Sequence, residues 1–231
     1  ACLVGSEMCI RDRFIDMQKI KIAQIITRLD KGGSTNVVLD IASHIDKKIY
    51  EIKLISGRTL NPPIDLEKFM AQTQTEILFI NQLQRQPHII KDIVALIRLY
   101  RLIRRERFQI VHTHTSKAGI LGRFAAYFAG VPIIIYTTHG HIFRDAFYLG
   151  TFKVKIYTFL EKIAAFFTDK IIVLSECERQ DHLKFKVAKP DKLVVIHSGL
   201  ALDKFLNVHV DVSQKKKELK LPPEFFIVGT I

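Results

Sequence analysis

Residues 110–141 read IVHTHTSKAGILGRFAAYFAGVPIIIYTTHGH, and the reading of this stretch decides the fold. Two runs of β-formers, opening at Ile110 and Ile133, enclose a run of small and apolar residues with helical character. Strand, helix and strand in that order make a crossover unit with parallel strands. Each strand ends in histidines one residue apart, His112 with His114 and His139 with His141. Ligands of an open parallel sheet bind beyond the carboxyl ends of its strands, which is where these histidines fall.

The alternation continues in both directions. Upstream, KIKIAQIIT (residues 19–27) is the near-continuous apolar run of a strand covered on both faces. The turn RLDKGG follows, then a helix from Ser34 to Ile45 with Val37, Val38, Ile41 and Ile45 at helical spacing and Ser34 or Thr35 as its cap. IYEIKLIS, IDLEKFMAQ and EILFI read as strand, short helix and strand. HIIKDIVALIRLYRLIRRERF is the longest predicted helix, with an apolar stripe of Ile89, Ile93, Leu96, Tyr100 and Ile103. Arg98, Arg101 and Arg105 share another of its faces. Downstream, FKVKIYTFLEKIAAFF and ECERQDHLKF are helices, while KIIVLS and KLVVIH are strands. The expected fold is α/β, a doubly wound and mostly parallel Rossmann-like sheet.

The ends of the chain read differently. ACLVGSEMCIRDRF lacks a basic start followed by an apolar stretch, and residues 1–16 are expected to be a leader outside the fold. One domain is expected over 17–207, a lysine-rich linker over 208–224, and the first strand of a further domain over 225–231. On that expectation the chain stops at the start of a second domain.

Bulk properties narrow the function. Hydrophobic residues make up 48% of 231, enough for a sizeable core. A net charge of +12 suits an anionic partner, either a phosphorylated small molecule or an acidic membrane surface. The basic residues are not interleaved with aromatics along any strand, which disfavours nucleic acid. The three cysteines, Cys2, Cys9 and Cys177, have no metal spacing and fit a reducing compartment. No apolar run reaches the length of a membrane-spanning helix.

The polar residues collect in the loops after the strands. Gly32 and Gly33 follow a strand and open a helix, where backbone N–H groups can approach a phosphate. The dinucleotide pattern G-x-G-x-x-G is not met and no Walker-type loop occurs, so nicotinamide and P-loop chemistry are disfavoured. The two histidine pairs could converge on a metal, but no carboxylate lies within either motif and Asp145 is the nearest. Lys117 stands just inside a helix N-terminus, where the dipole disfavours a cation and an anionic ligand would offset the misfit. Gly119, Gly122, Ala125, Ala126 and Ala129 let the same helix lie close to the sheet.

At these residues the sequence resembles a known family. Residues 110–141, FFTDKIIVLSECERQ (166–180) and LVVIHSGLALDKF (193–205) look like the N-terminal half of glycosyltransferase family 4. The likeness runs from about Lys19 to Ile231, and within the family it points to enzymes of bacterial capsule, lipopolysaccharide and other surface polysaccharides. The resemblance implies a GT-B fold, retention of anomeric configuration, a UDP- or GDP-sugar donor and no tightly bound cofactor or metal. It implies a glycan or lipid-linked acceptor, and a cytoplasmic protein that is peripheral on the inner face of the plasma membrane. Residue by residue, it makes His139 the group that contacts the transferring sugar, with Gly140 beside it. Gly32 and Gly33 would face the donor, His114 and Lys117 would line the acceptor side, and Ser198 and Gly199 would form the turn near the crossing to a second domain. The family's main nucleotide-sugar site belongs to a C-terminal domain, so this stretch alone is expected to be inactive. Two other readings stay open: a non-catalytic sugar- or nucleotide-binding homologue, and a metal-dependent hydrolase built on the histidine pairs.

Overall fold

A computed structural model describes residues 19–140, 151–199, 206, 210–224 and 226, and for 151–153 only the backbone. The expected leader and His141 lie outside the described residues. By Cα packing the chain divides into two units, Ala1–Ser198 and Gly199–Ile231.

The first unit is built on seven parallel strands: β1 (Ile20–Ile26), β2 (Tyr50–Ser56), β3 (Glu76–Phe79), β4 (Ile110–His114), β5 (Ile133–Thr137), β6 (Lys170–Val173) and β7 (Leu193–Val195). Their order across the sheet is β3-β2-β1-β4-β5-β6-β7. The helices between them are α1 (Gly33–His44), α2 (Leu66–Thr73), α3 (Ile89–Glu106), α4 (Ser116–Ala129), α5 (Thr151–Phe166) and α6 (Glu176–Lys184). The expected doubly wound α/β sheet is present. The strand order reverses between β1 and β4, and this switch point positions the site.

Strand alternation sorts the core into two faces. Ala23, Ile25, Val111 and Ile134 pack with α3 and α4 on one face. Ile22, Ile26, Ile52 and Leu54 pack with α1 and α2 on the other. His112 and His114 alternate with Val111 and Thr113 and therefore stand on the α1 side.

The small residues of α4 do what their spacing implies. A Cβ on Gly119 would come within 2.5 Å of the Tyr136 ring, and one on Gly122 within 2.6 Å of the Thr113 methyl. Only glycine permits that approach of helix to sheet. The fully buried Arg123 of α4 closes the packing: its guanidinium bonds Glu161 of α5 at 2.6 Å and lies 3.9 Å from the Tyr136 ring centroid.

Two local expectations are corrected. Neither Ser34 nor Thr35 caps α1; the N-cap is Gly32, with no side-chain cap bond, and the Thr35 hydroxyl donates instead to the Asp30 carbonyl at 2.6 Å. The buried line of α3 is Ala95, Leu99 and Ile103, whereas Ile89 and Ile93 are exposed. Apolar residues occur nearly all round the first half of this helix, so spacing alone selects the wrong stripe, and packing against the sheet takes the line that begins at small Ala95.

In the second unit, the stretch expected as a linker contains a helix, α7 (Val212–Glu218), capped by the Asp211 carboxylate on Ser213 and Gln214 N–H. The strand expected over 225–231 lies, except for Phe226, outside the described residues.

Candidate functional site

β4 and β5 run side by side with His114 opposite Thr137, so the histidines of both loops meet at one sheet edge. His112 Nε2 and Thr137 Oγ1 hydrogen-bond at 2.8 Å. His114 Nδ1 and His139 Nε2 do so at 3.0 Å. The rings of His112 and His114 lie 4.1 Å apart between centroids, and those of His114 and His139 lie 5.2 Å apart. Three of the four expected histidines thus form one stack.

Burial keeps this stack uncharged. Desolvation, aided by the neighbouring His139, lowers His112 to about 3. Desolvation and both neighbouring rings hold His114 well below the usual histidine value. His139 is partly buried, and desolvation lowers it while the Glu178 carboxylate pulls the other way. The histidine nitrogens bond to one another and to threonine. Among the described residues no group of three or more His, Cys, Asp or Glu could hold a metal ion.

Both loops carry backbone strain beside their histidine. His139 sits at φ +56°, and Thr115, directly after His114, at φ +63°. Left-handed backbone costs an L-residue about 1–2 kcal/mol, and a β-branched residue adopts it rarely. Such residues persist where surrounding bonds over-determine them, and they concentrate at functional sites. The bonds are identifiable here. The Thr115 hydroxyl pairs with that of Thr27 at the end of β1, 2.8 Å away. Thr138, just before His139, donates its hydroxyl to the buried Glu178 carboxylate, which also accepts the Leu174 N–H at 2.7 Å. Gly140 follows at φ +155°, a region glycine alone enters freely.

Beside this edge, at the β1/β4 switch point, lies a cleft of about 830 Å³. Its walls come from the loop after β1 (Thr27, Arg28, Asp30, Lys31, Gly32), from Arg85 and Gln86, and from Thr115, Ser116 and Lys117. Four cations line it, Arg28, Lys31, Arg85 and Lys117; Asp30 pairs with Arg28 at 3.0 Å and Asp92 with Lys117, which still leaves a positive surplus, so the cleft favours an anion. The N-termini of α1 and α4 both open on it, neither with a side-chain cap bond. No packing demand explains its glycines: a Cβ on Gly33 would meet nothing within 4 Å, and one on Gly32 only the Asp30 carbonyl at 4.0 Å.

Gly32 and Lys117 therefore line the cleft, His114 ends β4 directly before Thr115 of its wall, and His139 stands one strand over, after β5. The misfit of a lysine at a helix N-terminus has an internal offset, since Lys117 Nζ bonds Asp92 Oδ1 and the Gln86 carbonyl, each at 2.5 Å. Ser198 and Gly199 are exposed and fall at the boundary between the two units. Sequence reading missed Thr27, Arg28, Arg85, Thr138 and Glu178. For Glu178 a signal existed: Ser175-x-x-Glu178 is a capping-box pattern, and Ser175 Oγ does accept the Glu178 N–H at 3.2 Å.

The chain is 34% identical over 210 residues, 90% of its length, to the Escherichia coli UDP-Gal:alpha-D-GlcNAc-diphosphoundecaprenol alpha-1,3-galactosyltransferase, of which it covers 52%. It is 30% identical over 169 residues, 71% of its length, to the Staphylococcus aureus capsular polysaccharide biosynthesis glycosyltransferase CapM, of which it covers 43%. The chain thus spans about half the length of the curated relatives it matches. Among solved structures, a Rickettsia africae glycosyltransferase superposes with TM-score 0.62 at 18% identity, over 90% of this chain and 51% of that one. A sucrose-phosphate synthase from Thermosynechococcus elongatus superposes with TM-score 0.65 at 16% identity, over 89% of this chain and 54% of that one. These likenesses show the fold, the Rossmann-like half of the GT-B architecture. Residues 31–204 match the Glycosyltransferase Family 4 profile, and the chain belongs to that family.

Proposed function

We propose that this chain forms the acceptor-side half of a retaining glycosyltransferase, one that moves a sugar from a nucleotide-sugar donor to a lipid-linked or glycan acceptor in bacterial surface-polysaccharide synthesis. The observation that carries the reading is the basic cleft at the switch point beside the strained, uncharged His139. The bond from the sugar to the nucleoside diphosphate breaks and leaves negative charge on the departing phosphate oxygen, while the acceptor oxygen forms the new glycosidic bond and its proton passes to that phosphate oxygen. Cations and two helix N-termini suit the anionic group, and a neutral imidazole can hydrogen-bond an oxygen as charge develops on it. A UDP-sugar and a polyprenyl-diphosphate acceptor are the proposed pair, because the Escherichia coli relative carries both in its name.

The exposed face of α3 supports a membrane-bound acceptor. Ile89 and Ile90 are 79% and 70% exposed, Ile93 and Ile97 are exposed too, and Arg98, Arg101, Arg104 and Arg105 continue along the helix. Apolar anchors followed by cations suit the surface of an anionic bilayer. Among the described residues no helix is long and apolar enough to cross one. In the sequence Phe147, Leu149 and Phe152 precede Lys153 and Lys155, which would set further apolar anchors beside positive charge; Phe147, Leu149 and the side chains of Phe152 and Lys153 lie outside the described residues.

The test, like the transfer assays below, uses the full-length protein of which this chain would be the acceptor-side half, supplied with radiolabelled UDP-sugars and a polyprenyl-diphosphate-linked sugar. Transfer of label to the lipid with the anomeric configuration kept is the expected result. Hydrolysis without transfer, or inversion, would overturn the reading.

A further inference from the structure

His114 and His139 share a single proton, and the structure says which ring owns it. Between two neutral imidazoles the contact of His114 Nδ1 with His139 Nε2 at 3.0 Å holds one hydrogen. If His139 is the donor, its Nδ1 is bare and His114 carries its own proton on Nε2. If His114 is the donor, its Nε2 is bare and His139 carries its proton on Nδ1.

The atom that separates these cases is His114 Nε2. It is buried and has no hydrogen-bond partner among the described residues. A buried N–H without an acceptor loses its bond to water with no return, and orphaned donors are rarer in folded proteins than under-satisfied acceptors. The first arrangement strands such a donor, while the second leaves only a lone pair. We infer that His114 is a positioning residue: it donates its Nδ1 proton to His139 Nε2 and so fixes His139 as the tautomer with its proton on Nδ1. His112, tied to Thr137, packs against the His114 ring at 4.1 Å between centroids and limits its rotation. Burial supports the assignment by keeping His114 uncharged, so that its ring has one proton and one lone pair to place between its two nitrogens.

His139 then presents an N–H donor, not a basic nitrogen. It can stabilise an oxygen that gains negative charge, and it cannot take a proton from an acceptor hydroxyl. That use of the proton rests on the glycosyltransferase reading above; the place of the proton does not.

Long-range ¹H–¹⁵N spectra of the full chain with ¹⁵N-labelled histidine read the tautomers directly at neutral pH. Both His114 and His139 are expected with the proton on Nδ1. A proton on Nε2 of either ring, or a charged ring, would overturn the inference. Two substitutions extend the test. The amide nitrogen of His114→Asn reproduces the Nδ1 donor and should keep His139 in the same tautomer, whereas His114→Leu should release it. If the variants do not fold, the spectrum of the unaltered chain decides alone. In transfer assays His114→Asn should stay within about tenfold of the parent, and His114→Leu should fall about 10²-fold with little change in KM, as for loss of one preorganised donor. If the tautomers are as expected but His139→Ala transfers sugar normally, the inference stands and the function assigned to His139 falls.

Discussion

Glu178 on α6 and Thr138 after β5 are joined side chain to side chain across 40 positions of sequence, and through this bond a buried carboxylate fixes the residue that precedes His139. The second oxygen of Glu178 holds the Leu174 N–H at 2.7 Å, so one group braces the ends of two strands. Thr138→Val removes the hydroxyl and leaves a buried carboxylate oxygen unpaired. A loss of about 1–3 kcal/mol is expected in denaturant unfolding, with turnover reduced as the His139 loop relaxes. Unchanged stability would show that the bond carries nothing.

His139→Ala should separate chemistry from folding. Turnover in the transfer assay should fall about 10²- to 10³-fold, the usual loss for one preorganised donor. The ring is only partly buried, so the melting temperature should move little. A variant with parental turnover would reduce His139 to a loop residue.

Stability should fall with acid in a defined window. His112 is lowered to about 3 in the fold, mainly by burial, while the unfolded chain titrates near 6.5. Between those values the unfolded state binds the extra proton, so stability drops as pH falls through 6.5 and keeps dropping toward 3. His112 alone removes about 2 kcal/mol by pH 5, and His114 adds to the loss in the same direction. Urea midpoints across this range should therefore slide downward, and His112→Gln should flatten the slope. A flat profile from pH 7 to 5 in the parent would contradict neutral burial.

Two glycines should respond in opposite ways to the same change. Gly119→Ala drives a methyl to 2.5 Å from Tyr136, an overpacking that costs about 1–3 kcal/mol. Gly33→Ala meets nothing within 4 Å and should leave stability at or above the parent value. Its effect is expected on the donor's KM, because its chain neighbours Gly32 and Ser34 both line the cleft. Equal loss of stability in both variants would mean that Gly33 is a packing residue.

Attachment to membranes should follow charge and the exposed isoleucines of α3. Each cation near an anionic surface contributes about 1 kcal/mol, so binding to anionic vesicles should be reversible and lost at high salt. Ile90→Asp and Arg101→Glu should each weaken it severalfold in sedimentation assays. Equal binding to neutral and anionic vesicles, or none at low salt, rules the surface out.

Sequence alone determined the doubly wound sheet, because short, near-continuous apolar runs and helices of period 3.6 alternate from Lys19 to Val195 and a parallel sheet has few ways to connect them. It also determined that His112 and His114 share a face, since residues two apart on a strand always do. Tertiary structure decided what no local pattern contains. Glu178, 40 positions beyond Thr138, became its partner only when α6 packed against the end of β5. Asp92 neutralised Lys117 from another helix. The buried line of α3 was settled by the sheet it covers, not by its own apolar spacing. The place of the proton between His114 and His139 belongs with these, because an imidazole's tautomer follows from what each of its nitrogens can bond in the folded chain.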